Sequence, residues 1–324
     1  MRPKLFLNKA GLPPSAVGIL GALIAEIVLL TVLTAFFGDE GLSSKFLNYS
    51  NVVQVLRAIS FIAMMVVGQT VVLIAGGIDL GVGSILALSG VVTAMLIGNG
   101  FGSAAGIAVG LIIGVFTGII NGMVITKFRV SPFITTLGML SVARGLAYGI
   151  TGGETIRNLS AGFLFIGQGS LLGVPIPVLV MTLFALLVSS FLKSTVWGRY
   201  AYAIGGNETA ALYSGVNIAG MKVLYYGICG FAAALAGIFY AARFGVGQST
   251  AGLGYELDVI AAAVIGGVSL SGGRGTILGA ILGSIFMGIL RNGLVLLDVS
   301  AYWQQVAIGT VIVLAVAIDI KRKK

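Results

Sequence analysis

The chain has 324 residues, 58% of them hydrophobic and only 9% charged, with a net charge of +9 and a mean hydropathy of +1.09. A soluble domain carries about 25% charged residues, so a water-facing globular surface is excluded and a membrane-embedded chain is expected. One cysteine, Cys229, and no histidine exclude an intrachain disulfide and any histidine-based catalytic or metal centre.

The N-terminal stretch MRPKLFLNKAGLPPS is basic and broken by prolines, and it leads into an apolar run from Val17 to Phe37. That run is long enough to cross a bilayer. It lacks a small-residue cleavage site in the right place, so it reads as a first membrane helix rather than a removable signal. Further spans are predicted at 59–75, 82–98, 104–126, 132–150, 177–192, 223–242, 258–270, 276–297 and 302–319, ten in all. The expected fold is all-α, a polytopic membrane protein of about ten transmembrane helices, with residues 1–324 forming a single transmembrane domain.

Charge placement orients the chain. With the N-terminus inside, the inner segments hold thirteen basic residues: Arg2, Lys4, Lys9, Lys127, Arg129, Lys193, Arg199, Lys222, Arg274, Lys321, Arg322, Lys323 and Lys324. The outer segments hold four, Lys45, Arg57, Arg157 and Arg243, while Arg144 and Arg291 fall within or at the end of spans. The positive-inside rule then puts both termini in the cytoplasm.

Two connections are long. Residues 151–176 form an outer loop and residues 193–222 an inner one. In the inner loop Glu208 to Gly215 reads as a short helix. Gly206 or Asn207 can cap its start, Glu208 suits its first turn, Thr209, Ala210 and Ala211 follow, and Gly215 ends it. Two readings fit the residues equally. The helix docks a separate ATPase, or the loop lies on the membrane with Trp197, Tyr200 and Tyr202 as anchors.

Segments 76–84 (GGIDLGVGS) and 266–275 (GGVSLSGGRG) echo one another, and Asn121-Gly122 matches Asn292-Gly293. An internal duplication and the shared composition of glycine-rich helices both account for this. Leu270-Ser271-Gly272-Gly273 and the run ending at Asp298 imitate ATPase signatures. A phosphate-binding loop needs Gly-Lys, and the chain contains no such dipeptide. No ATPase site, catalytic residue, cofactor or metal site is therefore expected. Gly266, Gly267, Gly272, Gly273 and Gly275 are expected to form a tight turn between helices.

The segments GGIDLGVGSILALSG, WGRYAYAIGGNETAALYSGVNIAGMKVLYY, TAGLGYELDVIAAAVIGGVSLSGGRGT and NGLVLLDVSAYWQQ follow in order from about residue 55 to the end. Together they strongly resemble the permease subunit of ribose-type monosaccharide ABC importers. Two positions depart from that pattern: Thr209 stands where the family usually has alanine, and Gly81 where it has serine.

The resemblance implies a multi-pass protein of the bacterial inner membrane, surrounded by lipid, with no nucleic-acid partner. It implies a second permease subunit, identical or paralogous, a cytoplasmic ABC ATPase docked on 193–222, and an extracytoplasmic sugar-binding protein. Ribose leads as substrate, although xylose, galactose, galactofuranose and sugar-derived signals use similar permeases. A stand-alone secondary sugar transporter or facilitator is the alternative, but it calls for a charged relay in mid-membrane and the spans hold few acids. A membrane scaffold leaves the inner loop unexplained.

Within the spans, Gln69, Thr70, Asn121, Arg144 and Asn292 either line a sugar path or bond helix to helix. Asp79 is a gate or hinge cap, or more simply the N-cap of a helix starting near Val82. Glu26 faces a partner subunit or pairs with Arg57 or Arg144. Glu256 and Asp258 contact the binding protein or cap their helix.

Overall fold

The computed structural model describes residues 14–37 and 46–321. Arg2, Lys4, Lys9, Lys45, Arg322, Lys323 and Lys324, which enter the charge argument, lie outside the described residues. The helices are α1 (Pro14–Phe37), α2 (Tyr49–Ile74), α3 (Val82–Gly98), α4 (Ser103–Lys127), α5 (Pro132–Thr151), α6 (Ala161–Gln168), α7 (Ile176–Ser194), α8 (Val196–Gly206), α9 (Glu208–Tyr213), α10 (Ile218–Phe244), α11 (Tyr255–Ile265), α12 (Ile277–Leu296) and α13 (Ala301–Lys321).

Every predicted span falls on a helix, but not every helix is a full crossing. Seven of those described are long and apolar enough: α1, α2, α4, α5, α7, α10 and α12. The apolar stretches of α3 (17 residues) and α13 (Ala301–Leu314) are shorter. Helix α11 has 11 residues, about 16 Å at 1.5 Å per residue, against a hydrocarbon core of about 30 Å. The span expected at 258–270 is therefore corrected. It ends at Ile265, because Gly266 turns the chain and Gly267 takes φ 83°. The span expected from 59 starts earlier, at Tyr49, where the Asn48 side chain accepts from the Ser50 amide. Arg57 and Arg243, expected in loops, lie in α2 and in the last turn of α10.

The 151–176 connection is not a plain loop. It contains α6 and a hairpin of β1 (Ser170–Leu171) and β2 (Val174–Pro175), with Ser170 opposite Pro175. Leu172 and Gly173, at φ 51° and 80°, make the left-handed two-residue turn that matches strand twist.

Helix α2 is buried on all sides from Ile59 to Ile74, enclosed by α10, α12, α7 and α11, while α3 and α4 pack on α10 and on each other. The seam between α4 and α10 is built of small residues. Gly106, Gly110, Gly114, Gly118 and Gly122 recur every four residues on the buried face of α4, the first two against α3 and the last three against α10. A Cβ on Gly118 would run into the Tyr226 carbonyl, and one on Gly122 would sit 2.5 Å from the Val223 Cα. Lipid is as apolar as leucine, so it gives helices no hydrophobic reason to associate. Close backbone approach and dispersion take over. Large apolar side chains point outward instead, among them Ile24, Val28 and Phe36 on α1 and Leu183, Leu186 and Leu187 on α7, as a lipid-facing surface requires.

Contacts define two ends of the bundle. Gly76, just after α2, approaches Gly205 near the end of α8, and Lys222 at the start of α10 meets Glu208 of α9. The opposite ends of α2 and α10 flank a cleft of about 580 Å³ lined by Tyr49, Gln54, Arg57, Gln168, Arg243 and Phe244.

One buried acid stands apart. Glu26 lies on the stripe of α1 that carries Ile19, Leu23 and Leu30 into the bundle, and neither carboxylate oxygen has a hydrogen-bond partner among the described residues. The expected pairing with Arg57 or Arg144 does not form. Arg57 Nη2 donates to Ser170 Oγ at 3.2 Å, and Arg144 bonds to backbone carbonyls.

Two substitutions should shift stability in opposite directions, read as the thermal midpoint in detergent. Gly118→Ala wedges the α4–α10 seam and should cost about 1–3 kcal/mol. Glu26→Leu removes the unmet polar group and should gain about 1–3 kcal/mol. A lower midpoint for Glu26→Leu would mean that the carboxyl has a partner.

Candidate functional site

Helix α9 forms as its residues dictate. The Asn207 side chain accepts from the Ala210 amide at 2.9 Å, Glu208 opens the first turn, and Gly215 closes the motif at φ 83°. Glu208 is committed within the chain, since Lys222 Nζ donates to both its oxygens at 2.7 and 2.8 Å. Ala211 is buried at 5% exposure and faces the protein, not a partner. The outward face belongs to Thr209, Ala210, Leu212 and Tyr213, and Tyr213 is 87% exposed. Leu212 and Tyr213 were not singled out in the sequence. Their signal is two adjacent large apolar residues on a short capped helix.

The anchor residues of α8 also hold protein. Tyr202 donates through its hydroxyl to the Gly275 carbonyl at 3.0 Å, and burial pushes that phenol above its ordinary pKa, so it remains a donor. The Trp197 carbonyl accepts from Tyr225 at 2.7 Å.

Deeper in the bundle, Asp79 is fully buried in the turn between α2 and α3. It is not the N-cap of α3, a position that Gly81 holds. Instead its Oδ1 accepts from the Gly81 amide at 2.7 Å, closing the turn one step earlier, and Oδ2 lies 3.5 Å from Asn121 Nδ2. Gln69 completes the clamp. Its amide, oriented by the network, pairs with the Asp79 backbone N–H and C=O at 3.1 and 3.2 Å. Thr70 bonds back to the Val66 carbonyl of its own helix at 2.7 Å. Gln69, Thr70 and Asn121 have no exposed surface. Asn292 pairs with Asn51 through reciprocal amide bonds of 2.9 Å, tying α12 to α2.

Arg144 donates through Nη1 to the carbonyls of Ser249 and Ala251 at 2.6 and 2.7 Å. These carbonyls lie in the irregular segment before α11, where polar backbone at membrane depth needs a protein donor. Glu256 lies close enough to act on the Arg144 charge. A Cβ on Gly83, at the start of α3, would meet Glu256 Oε2 and the Gly252 carbonyl. The starts of the two short helices α3 and α11 therefore touch. Asp258 is drawn inward to Arg291 at 2.7 Å, with Tyr255 under the guanidinium.

Three glycine turns meet at the α9 end. Gly272, at φ 81°, has no room for a side chain, because the Cα atoms of Gly205 and Gly76 lie 2.8 and 2.9 Å from where its Cβ would be. The Gly273 amide donates to the Ile74 carbonyl at 2.8 Å. The segment that imitates an ATPase signature is thus a packing turn. The echoing segments 76–84 and 266–275 each begin at a helix end, and they come together here.

Residues 51–316 match the family described as the permease component of a branched-chain amino acid transport system. The chain is 41% identical to the ribose import permease protein of Escherichia coli strain K12 over 309 residues, 93% of this chain and 94% of that one. It is 43% identical to the ribose import permease protein of Bacillus subtilis strain 168 over 305 residues, covering 94% and 93%. Its identity to the D-allose transport system permease protein of Escherichia coli K12 is 36% over 292 residues, covering 90% and 89%. No solved structure matches. The chain belongs to this family of transport permeases and is a multi-pass membrane protein.

The Gln69 clamp can be checked. Gln69→Leu leaves the Asp79 amide and carbonyl without their side-chain partner and should cost about 1–3 kcal/mol in detergent unfolding, more than Thr70→Val, whose hydroxyl bonds only to its own helix. Equal losses would mean that Gln69 acts by bulk alone.

Proposed function

We propose that the chain is the permease subunit of an ATP-driven importer that passes a monosaccharide, ribose first among the candidates, from an extracytoplasmic binding protein to the cytoplasm. What carries the reading is identity above 40% to two ribose import permeases over nearly the full length of both chains. In this reading the protein sits in the bacterial inner membrane, pairs with a second permease subunit, and has its α9 end and both termini in the cytoplasm. The described basic residues at the α9 end, Lys127, Arg129, Lys193, Arg199, Lys222 and Arg274, support that side. The halves marked by the two Gly-Gly turns are related repeats.

The partner ATPase docks on α9. Gly206, Asn207, Glu208 and Gly215 set the pose of the helix. Thr209, Ala210, Leu212 and Tyr213 make the contact, and Ala211 seats the helix on the bundle. Gln69, Asn121 and Asp79 hold the α2–α3 turn rather than line the passage, and Thr70 is satisfied within α2. Arg144 braces the segment before α11, and Asn292 locks α12 to α2.

Reconstitution tests this. The chain is combined in nanodiscs with its ATPase and binding protein, and ATP hydrolysis is measured with and without ribose. Loaded binding protein should stimulate hydrolysis. Tyr213→Asp should weaken ATPase retention about tenfold or more, as loss of an interface anchor does, with an unchanged thermal midpoint. Ribose entering liposomes through the chain without the ATPase would replace the importer by a facilitator.

A further inference from the structure

Helix α9 is joined to the rest of the chain by an unusual contact. One residue, Asn207, separates it from Gly206, and Gly205-Gly206 press directly on two other backbones. A Cβ on Gly205 would strike the Ile74 carbonyl and would lie 2.5 Å from the Gly273 nitrogen. A Cβ on Gly273, at φ 72°, would lie 3.0 Å from both the Cα and the nitrogen of Gly206. Two hydrogen bonds fix the arrangement. The Gly273 amide donates to the Ile74 carbonyl at 2.8 Å, and the Tyr202 hydroxyl donates to the Gly275 carbonyl at 3.0 Å.

The two turns seized in this way are not equivalent to ordinary loops. One, after α2, leads within three residues of Gly76 to Asp79 and its clamp of Gln69 and Asn121. The other, after α11, feeds α12. The short helices α3 and α11 that adjoin these turns touch each other at their starts through Gly83 and Gly252. A closed loop of contacts thus runs from α9 through both turns to the two short helices.

Side chains absorb displacement by changing rotamer, whereas backbone packed on backbone has no such freedom and passes the displacement on. We propose that the three-turn glycine junction at Gly76, Gly205-Gly206 and Gly272-Gly273 is a rigid transmission. It forces the Asp79 turn and the α11–α12 turn to move together whenever α9 moves. Gly205, Gly272 and Tyr202 are positioning residues and touch no substrate. This rests on the reading of α9 as the ATPase contact.

The experiment uses the full complex of chain, ATPase and binding protein in proteoliposomes, and reads ribose carried per ATP hydrolysed. Gly205→Ala and Gly272→Ala spread the junction. Tyr202→Phe loosens it while keeping the ring. Gly118→Ala is the control, because its Cβ would strike the Tyr226 carbonyl at the α4–α10 seam, away from the junction and from both turns. The expected result is a complex that assembles and hydrolyses ATP, with the ratio down about fivefold or more in the glycine variants, the lower edge of ordinary coupling effects. Tyr202→Phe should lower it in the same direction, and Gly118→Ala should slow both activities with the ratio kept.

An unchanged ratio in Tyr202→Phe and in whichever glycine variants fold overturns the transmission. If no glycine variant folds, Tyr202→Phe alone decides. Failure of the α9 reading looks different. There Tyr213→Asp would leave the ATPase bound, whatever the junction variants do.

Discussion

Backbone meeting backbone through glycine is the contact on which this molecule depends. The bilayer removes the usual force that drives side chains together, so helices hold by dispersion and by hydrogen bonds at short range. Helix α4 supplies a ridge of glycines every fourth residue, and α10 answers with Tyr226, Gly230 and Ala234 along the seam. The same device recurs where α3 meets α11 and where three turns meet beside α9. Size is distributed accordingly, with small residues at the seams and large apolar ones on the lipid side.

Close packing of this kind leaves polar groups little room, and nearly every buried one has been given a fixed partner. Asp79 closes its own turn and is clamped by Gln69. Arg144 caps carbonyls that no helix satisfies. Asp258 and Arg291 neutralise each other. These residues let the chain depart from helix in two places, before α3 and before α11, where lipid alone would not tolerate bare backbone. Glu26 and Ser89 are exceptions among the described residues, since neither carboxylate oxygen of the first nor the hydroxyl of the second meets a partner, and the stripe of α1 around Glu26 packs on apolar residues of α12.

The two irregular places are also where the fold can move. A continuous helix resists bending along its hydrogen-bonded length, while an interrupted one can pivot at the break. The break before α3 begins at Gly76, beside the α9 end, the break before α11 meets the start of α3 at Gly83 and Gly252, and the opposite end carries the cleft between Arg57 and Arg243.

The sequence by itself determined the membrane class, the approximate place of each span, the capped helix α9, the lack of a Gly-Lys dipeptide, and the family. All of these follow from local composition and from order along the chain. Hydropathy marks spans, Asn207 and Gly215 mark helix ends, and motif order marks kinship. Tertiary structure alone decided that α11 is half a crossing, because Gly266-Gly267 stops it against Gly279, Ala280 and Gly283 of α12. It decided that Asp79 holds a turn instead of capping α3, that Glu208 pairs with Lys222, and that Tyr213 rather than Ala211 faces outward. Polar residues could be recognised as costly in lipid from sequence, but their partners lie up to 241 positions away, as Asn51 and Asn292 do. A pairing at that separation leaves no local pattern, so only the folded chain reveals which groups meet.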